Sequence, residues 1–372
     1  MATSEFDKAI QNLKKQFGED IVETGKAETD YDRIPFSSPR LNYMTFGGIP
    51  TGIIVEFSGP EGSGKTTTAI DIMKNAQVKF DKEAKENGTD PKKIVFIDVE
   101  GTFDYNWSGK FGLDTTRIER FKMGGLSAQD ILNTMLTLLD TGEVGLMVLD
   151  SIASMVPEQL EGKGVGEKIY GGLAQSLQNF SLKANKYLRQ YKSTIICINQ
   201  VRDNLSSMFG GVITPGGRGF KHMCSLRMEF RKGKFVDDNN KELTNSAENP
   251  AGNLINVVVL KSKVFPSTRR VGYYTIKYVT GPDLMSDYIE VGLQVGVIQQ
   301  RGAFYDIIDP ATGELLTDKK IQGKVALKEE LEAHKEWLKL IDATIDGKDI
   351  VEVIDEDTLA KANEAVANNK EE

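Results

Sequence analysis

The chain has 372 residues, of which 40% are apolar and 27% charged, proportions of a globular protein with material for two or more folded units. It has no run of about 18 apolar residues and its first residues lack a signal-peptide h-region, which argues against a membrane-spanning or exported class. The net charge of −8 is concentrated late: residues 341–372 hold ten acidic side chains and three lysines, so the acidic total does not argue against a nucleic-acid partner.

In chain order, Phe6, Ile10, Leu13 and Phe17 fall at helical spacing and predict an amphipathic helix. With the polar stretch behind it, this gives an N-terminal segment 1–40 with no core of its own. The helix either packs on its own domain or docks on another subunit. The core is expected over 41–280. Its first strand, Ile53-Ile54-Val55-Glu56-Phe57, runs into Gly59-Pro60-Glu61-Gly62-Ser63-Gly64-Lys65-Thr66 and then a helical stretch from Thr67. Further strands are Ile94–Glu100, Gly145–Asp150 and Ser193–Gln200, alternating with helices at 128–139 and 173–190. Nearly all-apolar strands alternating with helices predict an α/β fold with a mainly parallel sheet covered on both faces. Cys197 and Cys224 both lie in strand-like runs and read as reduced thiols of a cytoplasmic protein. Two glycine-rich loops stand out, 161–172 and 201–219. After them come strands without intervening helices, at 224–230, 254–260 and 271–279, which extend the sheet or form an antiparallel edge. A smaller unit is expected over 281–340, with helices at 286–292 and 322–340, and an acidic tail over 341–372.

The segment Gly59 to Thr66 reads G-x-x-x-x-G-K-T between a strand and a helix, the context a phosphate-binding loop requires. Its glycines let backbone N–H groups converge on phosphate oxygens at a helix start. Lys65 then reaches the β- and γ-phosphates and Thr66 offers a hydroxyl to Mg²⁺. Ligands of open α/β sheets bind at the carboxyl ends of strands, which singles out three more residues. Asp150 is placed to hold the metal's hydration shell, or to cap a helix. Glu100 can polarise the attacking water, or simply end its strand in solvent; Asp98, deeper on the same face, is its rival. Gln200 can sense the γ-phosphate by hydrogen bonding and opens the second loop, so it can couple nucleotide state to loop order. The second loop carries Arg202, Leu205, Gly216, Gly217 and Arg218, and the first Lys163, Lys168, Ile169 and Tyr170. Cations for phosphates beside apolar side chains suit nucleic acid, and equally a solvated surface loop. Lys261 and Lys263 matter only if a subunit interface brings nucleotide beside them.

Taken together, Gly59–Thr67, Asp98-Val99-Glu100, Val148-Leu149-Asp150-Ser151, Ile198-Asn199-Gln200-Val201-Arg202 and Met208-Phe209-Gly210 resemble the bacterial RecA recombinase family. Lys15-Gln16-Phe17-Gly18, Gly292-Leu293-Gln294-Val295-Gly296-Val297 and Gly302-Ala303-Phe304-Tyr305 extend the resemblance to both ends of the chain. It implies a RecA-like core with an N-terminal oligomerisation helix that docks on the neighbour and a small α+β C-terminal domain. It implies an ATP-dependent strand-exchange protein and DNA-dependent ATPase of DNA repair. Such a protein polymerises on single-stranded DNA, engages duplex DNA, and works with single-strand-binding and loader proteins. ATP and Mg²⁺ would sit between subunits. The resemblance makes Glu100 the catalytic glutamate, Gln200 the γ-phosphate sensor, and Lys261 and Lys263 a pair that reaches the neighbour's ATP. It makes the two loops the DNA-binding loops. Trp107 falls where an adenine-stacking tyrosine is usual, with a core tryptophan as the competing reading. Pro215 before Gly216-Gly217-Arg218, His222 in place of an interface phenylalanine, and the extra glycines of the first loop depart from the pattern. They mark a divergent member, of bacterial or phage origin. A ring-forming motor on the same core is the alternative.

Overall fold

The computed structural model describes residues 4–17, 31–160, 172–203, 212–317 and 319–345. Residues 1–32 form one unit and 33–372 another. In the first, helix α1 spans Glu5–Phe17. Ser4 and Asp7 close its start reciprocally: the Asp7 N–H donates to Ser4 Oγ and the Ser4 N–H to Asp7 Oδ2, each at 3.1 Å. Phe6 is 72% exposed and Leu13 44%, so two residues of the apolar stripe that forms the helix are uncovered.

The second unit opens with β1 (Arg33–Ile34), α2 (Pro39–Thr45) and β2 (Ile49–Pro50). There follow β3 (Ile54–Gly59), α3 (Lys65–Asn87), β4 (Lys93–Asp98), α4 (Tyr105–Lys110), β5 (Ile118–Lys122), α5 (Ala128–Asp140), β6 (Val144–Asp150), α6 (Gly172–Tyr191) and β7 (Thr194–Gln200). The stretch expected as one long loop after Gln200 contains regular elements among its described residues. Here β8 (Arg202–Asp203) pairs antiparallel with β9 (Val212–Ile213), and α7 starts at Gly217 and runs to Met223. Then come β10 (Leu226–Val236), β11 (Gly252–Ser262), β12 (Val271–Lys277) and β13 (Gly281–Pro282).

Among the described residues, nine strands make one sheet in the order β13-β12-β11-β10-β3-β7-β6-β4-β5. From β10 to β5 every neighbour is parallel, and β11, β12 and β13 add an antiparallel extension. Alternate residues explain why the central strands are apolar throughout. Phe57, Phe96, Val148 and Ile198 pack toward Ile70, Met73 and Phe80 of α3. Val95, Ile97, Leu149 and Cys197 pack on the other face with Ile131 and Met135 of α5 and Phe180 of α6. Each large side chain so buried contributes about 1.5–3 kcal/mol. Strand β5 was not foreseen: its Ile-Glu-Arg-Phe-Lys run carries three charges because it closes the sheet edge.

The remaining elements are α8 (Leu284–Val295), β14 (Ile298–Arg301), β15 (Phe304–Ile307), β16 (Ile321–Gln322), α9 (Gly323–Ala333) and α10 (Lys335–Ile345). Val291, Ile307, Leu331, Trp337 and Ile341 share a core of their own. The helix expected over 322–340 is two helices, separated where His334 leaves helical geometry and its N–H donates to the Glu330 carbonyl. Ile341 and Ile345 are buried, so α10 reaches into the stretch expected as tail. Residues 346–372 lie outside the described residues. Among the described residues no helix is long and apolar enough to cross a membrane.

Asp287 of α8 is buried against the start of α2, where the Ser38 hydroxyl donates to its carboxylate. Burial pushes its pKa from 3.8 up to about 7, against the pull of Ser38 and Arg40; Asp283 and Glu290 push it further up. The folded chain therefore holds this proton more tightly than the unfolded chain. The resulting stability is full below the unfolded pKa and is lost as pH rises through about 7. Asp287→Asn keeps the shape and removes the charge. Its melting temperature is expected to gain on the wild type between pH 5 and pH 7 and to level off above that; a pH-independent difference would contradict the burial argument.

Candidate active site

The site forms where β3, β4, β6 and β7 end side by side. Gly59 ends β3 and pairs with Gln200 at the end of β7, while Asp98 of β4 pairs with Asp150 of β6. Pro60, Glu61, Gly62 and Ser63 make the turn, braced by Ser63 Oγ donating to the Pro60 carbonyl at 2.8 Å. Gly64 holds φ 87° as the cap of α3, a left-handed conformation that favours glycine. Lys65 and Thr66 begin the helix.

Lys65 is only 7% exposed. Its Nζ donates to the Gly59 carbonyl at 3.0 Å and the Pro60 carbonyl at 2.6 Å. Burial lowers its pKa from the ordinary value, opposed by the charges of Asp150, Glu100 and Glu61. Thr66 Oγ1 donates to Asp150 Oδ2 at 2.8 Å. Asp150 is 2% exposed, and burial pushes its pKa up to about 6; the Thr66 hydroxyl lowers it and the Glu100 charge raises it. The oxygen-only pair Thr66 and Asp150 has the chemistry of a hard divalent cation site. Thr67 lines a cleft beside the first turn of α3, together with Phe111, Tyr274 and Pro282.

Glu100 is exposed at the rim, and Gln200 Nε2 donates to its Oε1 at 3.3 Å. Asp98, its rival, is fully engaged: Oδ1 accepts from the Gly101 N–H at 2.7 Å and Oδ2 from Arg120 Nε at 2.9 Å. It is a buried structural carboxylate that shapes the turn behind Glu100. Trp107 sits on α4, half-buried against the core beneath it and edge-on to Phe111 at 5.1 Å. Its backbone N–H donates to Oδ1 of Asp104, the N-cap of α4, at 2.9 Å.

Lys261 and Lys263 are not brought to this loop. Lys261 lies level with Arg227, which lies level with Glu56, three residues back from Gly59 along β3 and two strands across. Both lysines cap the end of α7: Lys261 Nζ donates to the Lys221 and His222 carbonyls at 2.7 and 2.9 Å, and Lys263 Nζ to that of His222 at 2.8 Å. Arg202 and Arg218 are exposed, on β8 and α7. Gly216 and Gly217 pack against α6, with a β-carbon on Gly217 falling 2.7 Å from that of Ala174. Lys163, Lys168, Ile169, Tyr170 and Leu205 lie outside the described residues. Two polar side chains escaped the sequence reading, Glu56 and Asn199, both buried beneath the site. The available signal was a lone acid or amide inside an apolar strand, which has to be paired.

A phosphate loop on a mainly parallel sheet, with a carboxylate and an amide at adjacent strand ends, defines a P-loop nucleotide-binding ATPase. A family profile for the RecA N-terminal domain matches residues 4–282. Protein RecA of Aquifex aeolicus is 31% identical over 343 residues, covering 91% of this chain and 90% of that protein. Protein RecA of Acholeplasma laidlawii is 30% identical over 87% of this chain and 93% of its own length, and that of Chlorobaculum parvum 31% over 80% and 81%. The chain belongs to the RecA family. It is an ATP-dependent DNA recombinase and a DNA-dependent ATPase.

Proposed function

We propose that the chain binds ATP with Mg²⁺ at its phosphate loop and polymerises as a filament on single-stranded DNA, and that the filament engages duplex DNA for strand exchange. In this reading Lys65 and the turn from Gly59 to Gly64 hold the phosphates, and Thr66 and Asp150 hold the metal, which neutralises phosphate charge. Glu100 takes the proton of the attacking water. Gln200 reads the γ-phosphate and Trp107 stacks on the base. Residues 161–172 and 201–219, including Arg202, Arg218, Lys163 and Lys168, meet DNA. The domain bounds at 40, 280 and 340, a cytoplasmic location, and assistance by single-strand-binding and loader proteins belong to the same reading.

The observation that carries it is the separation between Lys261 and Lys263 and the phosphate loop of the same chain. A lysine pair that serves ATP from there serves the site of an adjacent copy, where added positive charge stabilises the transferring phosphoryl group. The exposed Phe6 and Leu13 of α1 support the same assembly. Electron microscopy with single-stranded DNA and a non-hydrolysable ATP analogue tests it. Helical filaments are expected; closed rings would favour a ring motor on the same core.

A further inference from the structure

Asn199 is an amide inside the apolar strand β7, and it is fully buried. Its Nδ2 carries two N–H donors, and both are used. One meets Glu56 Oε1 at 2.8 Å and the other the Pro215 carbonyl at 3.0 Å. Glu56 is itself fully buried and is anchored through its second oxygen by Arg227 Nε. Two acceptors facing one planar group require an amide nitrogen: a serine offers one donor and an aspartate none. The fixed end of this arrangement is the buried ion pair. The other end, Pro215, stands 16 residues along the chain from Asn199. Between them the chain leaves through β8 and returns through β9, whose residues pair. Pro215 leads directly into α7. The residue after Asn199 is Gln200, which reaches Glu100 across the site. Successive side chains of a strand point to opposite faces. A pull on Gln200 therefore turns the shared peptide and moves the Asn199 amide on the other face.

We propose that Asn199 is the positioning residue that passes nucleotide state from Gln200 to the exit of the second glycine-rich loop, by holding or releasing the Pro215 carbonyl against the fixed Glu56–Arg227 pair. This rests on the reading of Gln200 as nucleotide sensor and of the loop as a DNA contact. Asn199 is fully buried, so in this proposal it contacts neither ligand directly. Its effect is on the coupling between them, and a coupling is measured as a ratio of affinities.

The test uses the full-length protein and the anisotropy of a labelled oligothymidylate, with a non-hydrolysable ATP analogue and with ADP. The readout is the ratio of the two DNA affinities. Asn199→Leu is expected to lower that ratio by about fivefold or more, while affinity for a fluorescent ATP analogue without DNA changes by less than about twofold. A purely structural role would lower the melting temperature and leave the ratio within about twofold of wild type, which overturns the proposal. If Asn199→Leu does not fold, Asn199→Ser fits the same space with a single donor. Its ratio should fall short of wild type, and an unchanged ratio overturns the proposal equally. A wild-type ratio of one would instead remove the underlying functional reading, and it is seen before any variant is made.

Discussion

Lys65→Ala will abolish ATP-dependent DNA binding and cut ATP turnover by about a hundredfold or more, the scale of losing one charged stabiliser of a phosphoryl transition state. The ammonium is nearly buried and is held over the loop by the Gly59 and Pro60 carbonyls. It therefore lies against the turn proposed to hold the phosphates. Burial alone would favour the neutral amine; the carboxylates of Asp150, Glu100 and Glu61 counter this. Alanine removes the cation and leaves those carboxylates facing an anionic ligand. The check is oligonucleotide anisotropy with and without an ATP analogue, alongside steady-state phosphate release. Tight binding by the variant that still responds to ATP would refute the role given to Lys65.

Glu100→Gln should separate binding from chemistry. Turnover is expected to fall by about 10²–10⁴-fold, the range for loss of a general base, while ATP affinity and ATP-dependent DNA binding persist. The substituted amide oxygen can still accept from Gln200 Nε2, as Glu100 Oε1 does now. Asp98 cannot take over, because Gly101 and Arg120 already occupy its two oxygens. Single-turnover hydrolysis with bound DNA reads the effect directly. A rate within about twofold of wild type would exclude proton abstraction by this side chain.

The positions behind these proposals were legible in sequence to different depths. The phosphate loop was readable because every constraint on it is local: a strand, glycines at fixed spacing, Lys65 and a helix start. Asp150 and Gln200 followed from the rule that strand ends carry ligands. Residue types alone left Asp98 a rival of Glu100; the pairing of Asp98 with Arg120 was not readable, because β5 is a strand whose charged sequence hides it. Glu56 and Asn199 meet across 143 residues of chain, and no periodicity announces such a partner. The expected loop after Gln200 hid α7, because glycine runs read as turns when the helix that demands their small size is elsewhere in the sequence. The break at His334 was missed because the apolar pattern continues across it.

The close seating of α7 on α6 has an evolutionary consequence. Ala174 and Gly217 leave each other no spare volume, and Gly219 lies against the movable end of the Gln178 side chain. The first glycine-rich stretch feeds into the start of α6 and the second into the start of α7, so the two inherit one shared foundation. Substitutions along this seam will be epistatic: a larger residue accepted on one helix demands a smaller one opposite. A loop grafted in from a relative should therefore travel with the first two turns of α6. Without them the graft would import a sequence shaped for another protein's seam.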